Sequence, residues 1–80
     1  MKLYLLLNPN PPAPNTYTSA VVAAEDLLAA KMTHPKEFNG TTFIDRHPKW
    51  PDAPHKINAR FLGYAKRGQP AGVLCVNYND

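Results

Sequence analysis

Apolar positions along the chain gather into three runs separated by proline-rich stretches. The first run, Lys2 to Leu7, mixes leucine and tyrosine with no polar break, which predicts a short strand at the centre of a sheet or covered on both faces. Pro9, Pro11, Pro12 and Pro14 then end it, because proline removes backbone donors and forces its predecessor out of the helical region. Residues 8 to 15 therefore read as a loop with polyproline II character.

In the second run Tyr17, Thr18, Val21 and Val22 favour a strand, while the alanines that follow would extend a helix back to Ser19. The expectation is a strand over about Thr18 to Ala24, with a helix beginning after it. Asp26 has the side chain of an N-cap, Glu25 and Asp26 lie at the positive end of the helix, and Lys31 and His34 lie at the negative end. Leu28 and Met32 share a face at i and i+4. Pro35 marks the stop, which leaves a helix of about two turns.

Lys36 to Lys56 has no clear period and carries Pro48, Pro51 and Pro54, with Asn39-Gly40 as a turn signal. Thr41 to Ile44 reads as a short edge strand within it. Trp50 is either the lid of the core or an exposed contact. The pattern recovers in a third run, with strands over Ala59 to Ala65 and Gly72 to Tyr78 and a turn over Lys66 to Pro70, which together read as a hairpin. On the last strand Leu74, Val76 and Tyr78 share the face better suited to the core, opposite Val73, Cys75 and Asn77.

These elements predict an α+β domain: a small antiparallel sheet of about four strands in the order β-β-α-β-β, with one short helix on one face and a proline-rich loop at an edge. One short helix leaves the second face partly bare, and a twofold homodimer would cover that face or an edge strand.

At 80 residues the chain is one domain, 1–80, with a small core and little stability to spare. Hydrophobic residues at 44% and aromatics at 10% support a packed interior despite nine prolines. Cys75 is the single cysteine, so no internal disulfide forms and a reducing cytoplasm is the simplest compartment. The apolar run after Lys2 stops at Asn8-Pro9 with no small-residue cleavage site, so it reads as a strand and not as a signal peptide. No stretch approaches the roughly 20 apolar residues of a spanning helix, and no membrane association is expected.

Charge changes the picture more than composition does. The formal net charge is +3 and the isoelectric point is near 9.2. The excess is concentrated between Lys31 and Arg67, where Lys31, Lys36, Arg46, Lys49, Lys56, Arg60, Lys66 and Arg67 stand against Glu37, Asp45 and Asp52. A basic segment suits an acidic protein surface or a nucleic acid. The plainer reading, a solvated surface that keeps the chain soluble, has equal claim for charges spread this widely.

Catalytic and metal chemistry find little support. His34, His47, His55 and Cys75 are ligand types for zinc, but their spacing fits no compact ligand pair and each histidine abuts or lies beside a proline. Cys75 with a histidine and an aspartate would be a nucleophilic triple on paper only, because no nucleophile elbow, phosphate loop or dinucleotide fingerprint accompanies it. No enzyme activity and no cofactor are expected. His-Pro-Lys occurs at 34–36 and 47–49, the second time before Trp50, and sets basic residues beside aromatics. With Arg60, Tyr64, Lys66 and Arg67, this pairing has the ingredients for tracking a phosphate backbone and stacking on bases.

Tyr17 to Glu25, a short helix ending at His34-Pro35, Phe61 to Ala65 and Gly72 to Asn79 together resemble a family of small proteins of phages and bacterial mobile elements. The match covers roughly half the chain and supports the strand at Ser19. In size, lack of catalytic motifs and single-domain build the chain is also similar to anti-CRISPR proteins. That resemblance implies a stoichiometric inhibitor in the bacterial cytoplasm that binds a CRISPR effector complex and blocks its engagement of target DNA. It implies no binding residues, since that class shares no motif. The contact residues expected from charge and aromatic character are Arg46, Lys49, Trp50, Lys56, Arg60, Lys66 and Arg67. The alternative is a small basic protein that binds nucleic acid directly, and a third reading is an assembly protein of a virion-like particle.

Overall fold

The run Lys2–Leu7 forms strand β1, and Thr16–Ala24 forms β2, which pairs with it antiparallel from Lys2 opposite Ala24 to Leu7 opposite Ser19. The computed structural model describes residues 1–11, 14, 16–35, 50–51 and 54–79. The expected edge strand at Thr41 to Ile44 lies outside these residues. Among them the remaining elements are a helix α1 (Leu27–Lys31), a 3-10 turn (Pro54–Lys56), and strands β3 (Asn58–Tyr64) and β4 (Gly72–Asn79). Together they make a four-stranded antiparallel sheet with one short helix.

The sheet order is β3-β1-β2-β4. The two apolar strands thus take the centre, where both of their backbone edges are bonded, and the less apolar third run supplies the rims. This corrects the expected hairpin of the last two strands, which lie on opposite edges. The turn itself is present, since the Gln69 N–H donates to the Lys66 carbonyl at 3.0 Å. It sits within a connection, residues 65–71, that passes the ends of β1 and β2. Crossing three strand spacings takes about 14 Å, within the reach of seven extended residues. The Ala65 N–H anchors the start of that crossing on the Met1 carbonyl at 2.8 Å.

Because β1 opposes both β2 and β3, those two strands point the same way. The segment between them must return from one end of the sheet to the other, and α1 is part of that return. Asp26 caps it as expected, its carboxylate accepting from the Ala29 N–H at 2.8 Å. The helix is shorter than the two turns expected. Met32 closes it through its N–H to the Leu28 carbonyl, and the Thr33 hydroxyl donates to the Ala29 carbonyl at 3.0 Å. The face that meets the sheet is that of Ala30, fully buried, whereas Leu28 and Met32 are 62% and 65% exposed. Alanine allows the close approach that a leucine would prevent.

Under α1 lies the core: Tyr4 and Leu6 of β1, Ala20, Val22 and Ala24 of β2, then Tyr17, Trp50 and Ile57, with Ala59, Val73 and Val76 packed at its margin. Fully burying Leu6 and Val22 contributes about 2 kcal/mol each. Val73 and Val76 reach the same core because the register of β4 shifts between Val21 and Val22, and a bulge reverses the alternation at Leu74. The expected core face of Leu74, Val76 and Tyr78 is therefore split. Leu74 and Tyr78 are each 37% exposed, and Tyr78 stacks edge-on against Tyr17 with centroids 5.0 Å apart.

Candidate interaction surface

The face of the sheet turned away from α1 is built in three rungs, which follow from the strand registers. Asn58, Leu7, Ser19 and Asn77 form the first. Arg60, Leu5, Val21 and Cys75 form the second. Gly63, Leu3, Ala23 and Gly72 form the third. Its centre is aliphatic and its rims are polar or bare. Leu3, Leu5, Leu7 and Val21 are half-buried by their neighbours, Arg60 and Cys75 are exposed, and no described element packs over them.

A second surface runs along β3. Phe61 belongs to the core side, where its ring meets Tyr4 at 5.8 Å and Tyr64 at 5.5 Å, yet Phe61 is 50% and Tyr64 75% exposed. Leu62 occupies the bulge opposite Leu3 and Tyr4 and is half exposed as well. Arg60 projects on the opposite face of the same strand. Lys56 precedes the strand, Lys66 and Arg67 follow it, and all three are exposed.

Of the expected contact residues, Arg60 lies on β3, Lys56 in the 3-10 turn before it, and Lys66 and Arg67 in the connection that turns away after it, so they mark the strand and its two ends and do not form a compact patch. At about 3.3 Å per residue the strand itself is roughly 20 Å long. Trp50 does not join them. It is 5% exposed and belongs to the core, with its ring 6.1 Å from His34, which in turn meets Tyr17 at 6.3 Å. A ring closed in this way lids the core and offers no anchor to a partner. Arg46 and Lys49 lie outside the described residues. Sequence reasoning missed Phe61 and Leu62, whose signal was a strand pattern with no polar alternation between Phe61 and Tyr64.

Charge distinguishes this edge from the rest of the sheet. Residues 54–79 contain Lys56, Arg60, Lys66 and Arg67 and no aspartate or glutamate. Arg60, Lys66 and Arg67 make no ion pair among the described residues. Nor do any three histidine, cysteine or carboxylate side chains gather there as a metal site, and among these residues no helix is long and apolar enough to cross a membrane. His34 stands in the aromatic corner, far along the chain from Cys75 on the open face.

Fold and surface define a class: a small α+β domain with one sheet face covered by a helix, one face over which no described element packs, and a basic, aromatic strand at its rim. No protein-family model matches the chain, and no match was found among curated proteins or solved structures.

Proposed function

We propose that the chain is a non-catalytic binding protein, with the β-β-α-β-β order running through the whole domain, that occludes a functional surface of an acidic macromolecular partner. The observation that carries this reading is the β3 edge, where exposed Phe61, Leu62 and Tyr64 are flanked by Arg60, Lys66 and Arg67 and, among the described residues, no carboxylate pairs with these cations. Exposed aromatics supply anchoring energy and unpaired cations supply encounter rate. The partner we propose is a bacterial defence effector, specifically a CRISPR complex met in the cytoplasm, following the resemblance to small phage and mobile-element proteins. Inhibition is stoichiometric: the chain holds the effector and target DNA is kept out.

Titrating the chain into purified CRISPR effector complexes and reading target-DNA binding tests this. Inhibition saturating near one chain per complex, surviving nuclease treatment and lost in R60E/K66E/R67E, is the expected result. No inhibition across the effector types, or full inhibition by the triple variant, overturns it.

Direct nucleic-acid binding is the second reading, favoured by Tyr64 standing two residues from Lys66. Its mark is an affinity for single strands that falls steeply with salt as counterions are released. The open sheet face does not supply that chemistry, since its rungs hold leucines, valine and asparagines where a base-stacking sheet would hold aromatic rings.

A further inference from the structure

Both rims of the described sheet end in a strand whose outer backbone groups are unbonded within it, but only one rim has a chemistry that specifies an occupant. β4 carries no charged residue from Gly72 to Asn79. β3 carries Arg60 and is flanked by Lys56 on one side and Lys66 and Arg67 on the other. Its backbone orientation follows from one bond. The Ala65 N–H bonded to the Met1 carbonyl makes Met1 and Ala65 a hydrogen-bonded pair, so the neighbouring pair Lys2 and Tyr64 is unbonded, and the N–H and C=O of Tyr64 point outward. Side chains on both faces of β3 are exposed at the same time, Arg60 on the open face and Phe61 and Tyr64 on the other.

One cation stands on the strand and the others at its two ends. A ligand lying along β3 would meet a positive group at its middle and at each end. A second copy of this chain fits poorly. Antiparallel pairing of two β3 strands would bring the Lys56 end of one copy toward the Lys66-Arg67 end of the other, and like charges brought close are destabilising. The charge at Arg60, repeated in each copy, further opposes self-pairing. A partner of opposite charge removes the repulsion and gains from it.

We propose that β3 is a docking strand, which accepts an extended acidic segment of a partner protein by strand addition. Backbone bonds at the outward groups hold the segment in line. Phe61, Leu62 and Tyr64 receive its apolar side chains, and Arg60, Lys66 and Arg67 receive its carboxylates. The inference rests on the binding-protein reading above and not on the identity of the target.

Selection of short random peptides displayed on phage against the immobilised full chain, followed by amide hydrogen exchange with the winning synthetic peptides, tests it. The expected winners alternate acidic with apolar residues. They slow exchange of the Tyr64 amide and of other outward β3 amides, lose about tenfold in affinity against R60E/K66E, and bind C75S unchanged. Winners without acidic bias, protection falling on β4 or on the open face, or equal affinity for R60E/K66E would each overturn the docking strand. A single-stranded oligonucleotide that displaces the peptide from β3 at lower concentration would give the edge to nucleic acid and overturn it too. Loss of effector inhibition alongside a peptide seated on β3 refutes the target alone, and inhibition without any β3 peptide refutes the strand alone.

Discussion

Gly63 and Gly72 stand at the two ends of one rung, with φ of 145° and 140°, conformations that a side chain resists. A Cβ built at either meets no heavy atom within 4 Å, so the cost of adding one lies in the backbone alone. Strain of roughly 1–2 kcal/mol, partly offset by the lower entropy of the unfolded chain, leaves Gly63→Ala destabilised by about 1 kcal/mol. Urea unfolding measures this, and an unchanged or raised midpoint would show that β3 does not need the glycine. Neither position was legible as special in the sequence, because their φ values depend on the register shifts at each rim. The Asp26 cap was legible, since capping is decided within four residues. Trp50 was not settled by its neighbours Lys49 and Pro51, for its burial depends on Tyr17 and His34, distant along the chain.

Strands were easier to recognise than to pair. The expected spans of β1, β2, β3 and β4 agree with the structure to within about two residues, since each rests on local composition. The hairpin of β3 and β4 failed because pairing is decided by which strands most need both backbone edges and at least one face covered, and β1 and β2 outcompete them for the centre. A bulge at Leu74 then split the face assignment of β4: Val76 reaches the core as expected, but Val73 takes the place of Leu74, since one extra residue reverses the alternation across it. The order makes a dynamic prediction. Amides of β1 and β2 exchange slowest, and the outward Tyr64 amide exchanges orders of magnitude faster than the Leu6 or Val22 amides, because it has no partner in the described sheet. Equal protection of Tyr64 in dilute protein would mean that the rim is already occupied. The candidate site was legible in part: its cations were named, but their place on and at the ends of an edge strand required the topology.

For the molecule as a whole, the open face decides whether it works alone. Four strands at about 4.8 Å spacing and six residues of length present roughly 400 Å² of flat sheet, about half of the 800 Å² per partner typical of a stable interface. Apolar content favours coverage, as Leu5 and Val21 form the middle of the centre rung, but Arg60 stands on the same rung and, among the described residues, no carboxylate lies on the face to meet it in a second copy. The twofold homodimer expected from one-sided coverage is therefore proposed as a weak one. Light scattering should return the 8.9 kDa monomer in dilute solution and a rising mean mass as the concentration approaches millimolar. Leu5→Lys, placed at the centre of the face and away from the α1 core, should abolish that rise while keeping the fold by circular dichroism. A dimer that persists at nanomolar concentration would contradict the area argument, and one that survives Leu5→Lys would move self-association to the uncharged β4 edge. Either way the outer backbone edge of β3 stays outside the self-contact, because the cations on and beside it oppose a second copy, and a chain free to self-associate elsewhere still presents that rim to an acidic partner.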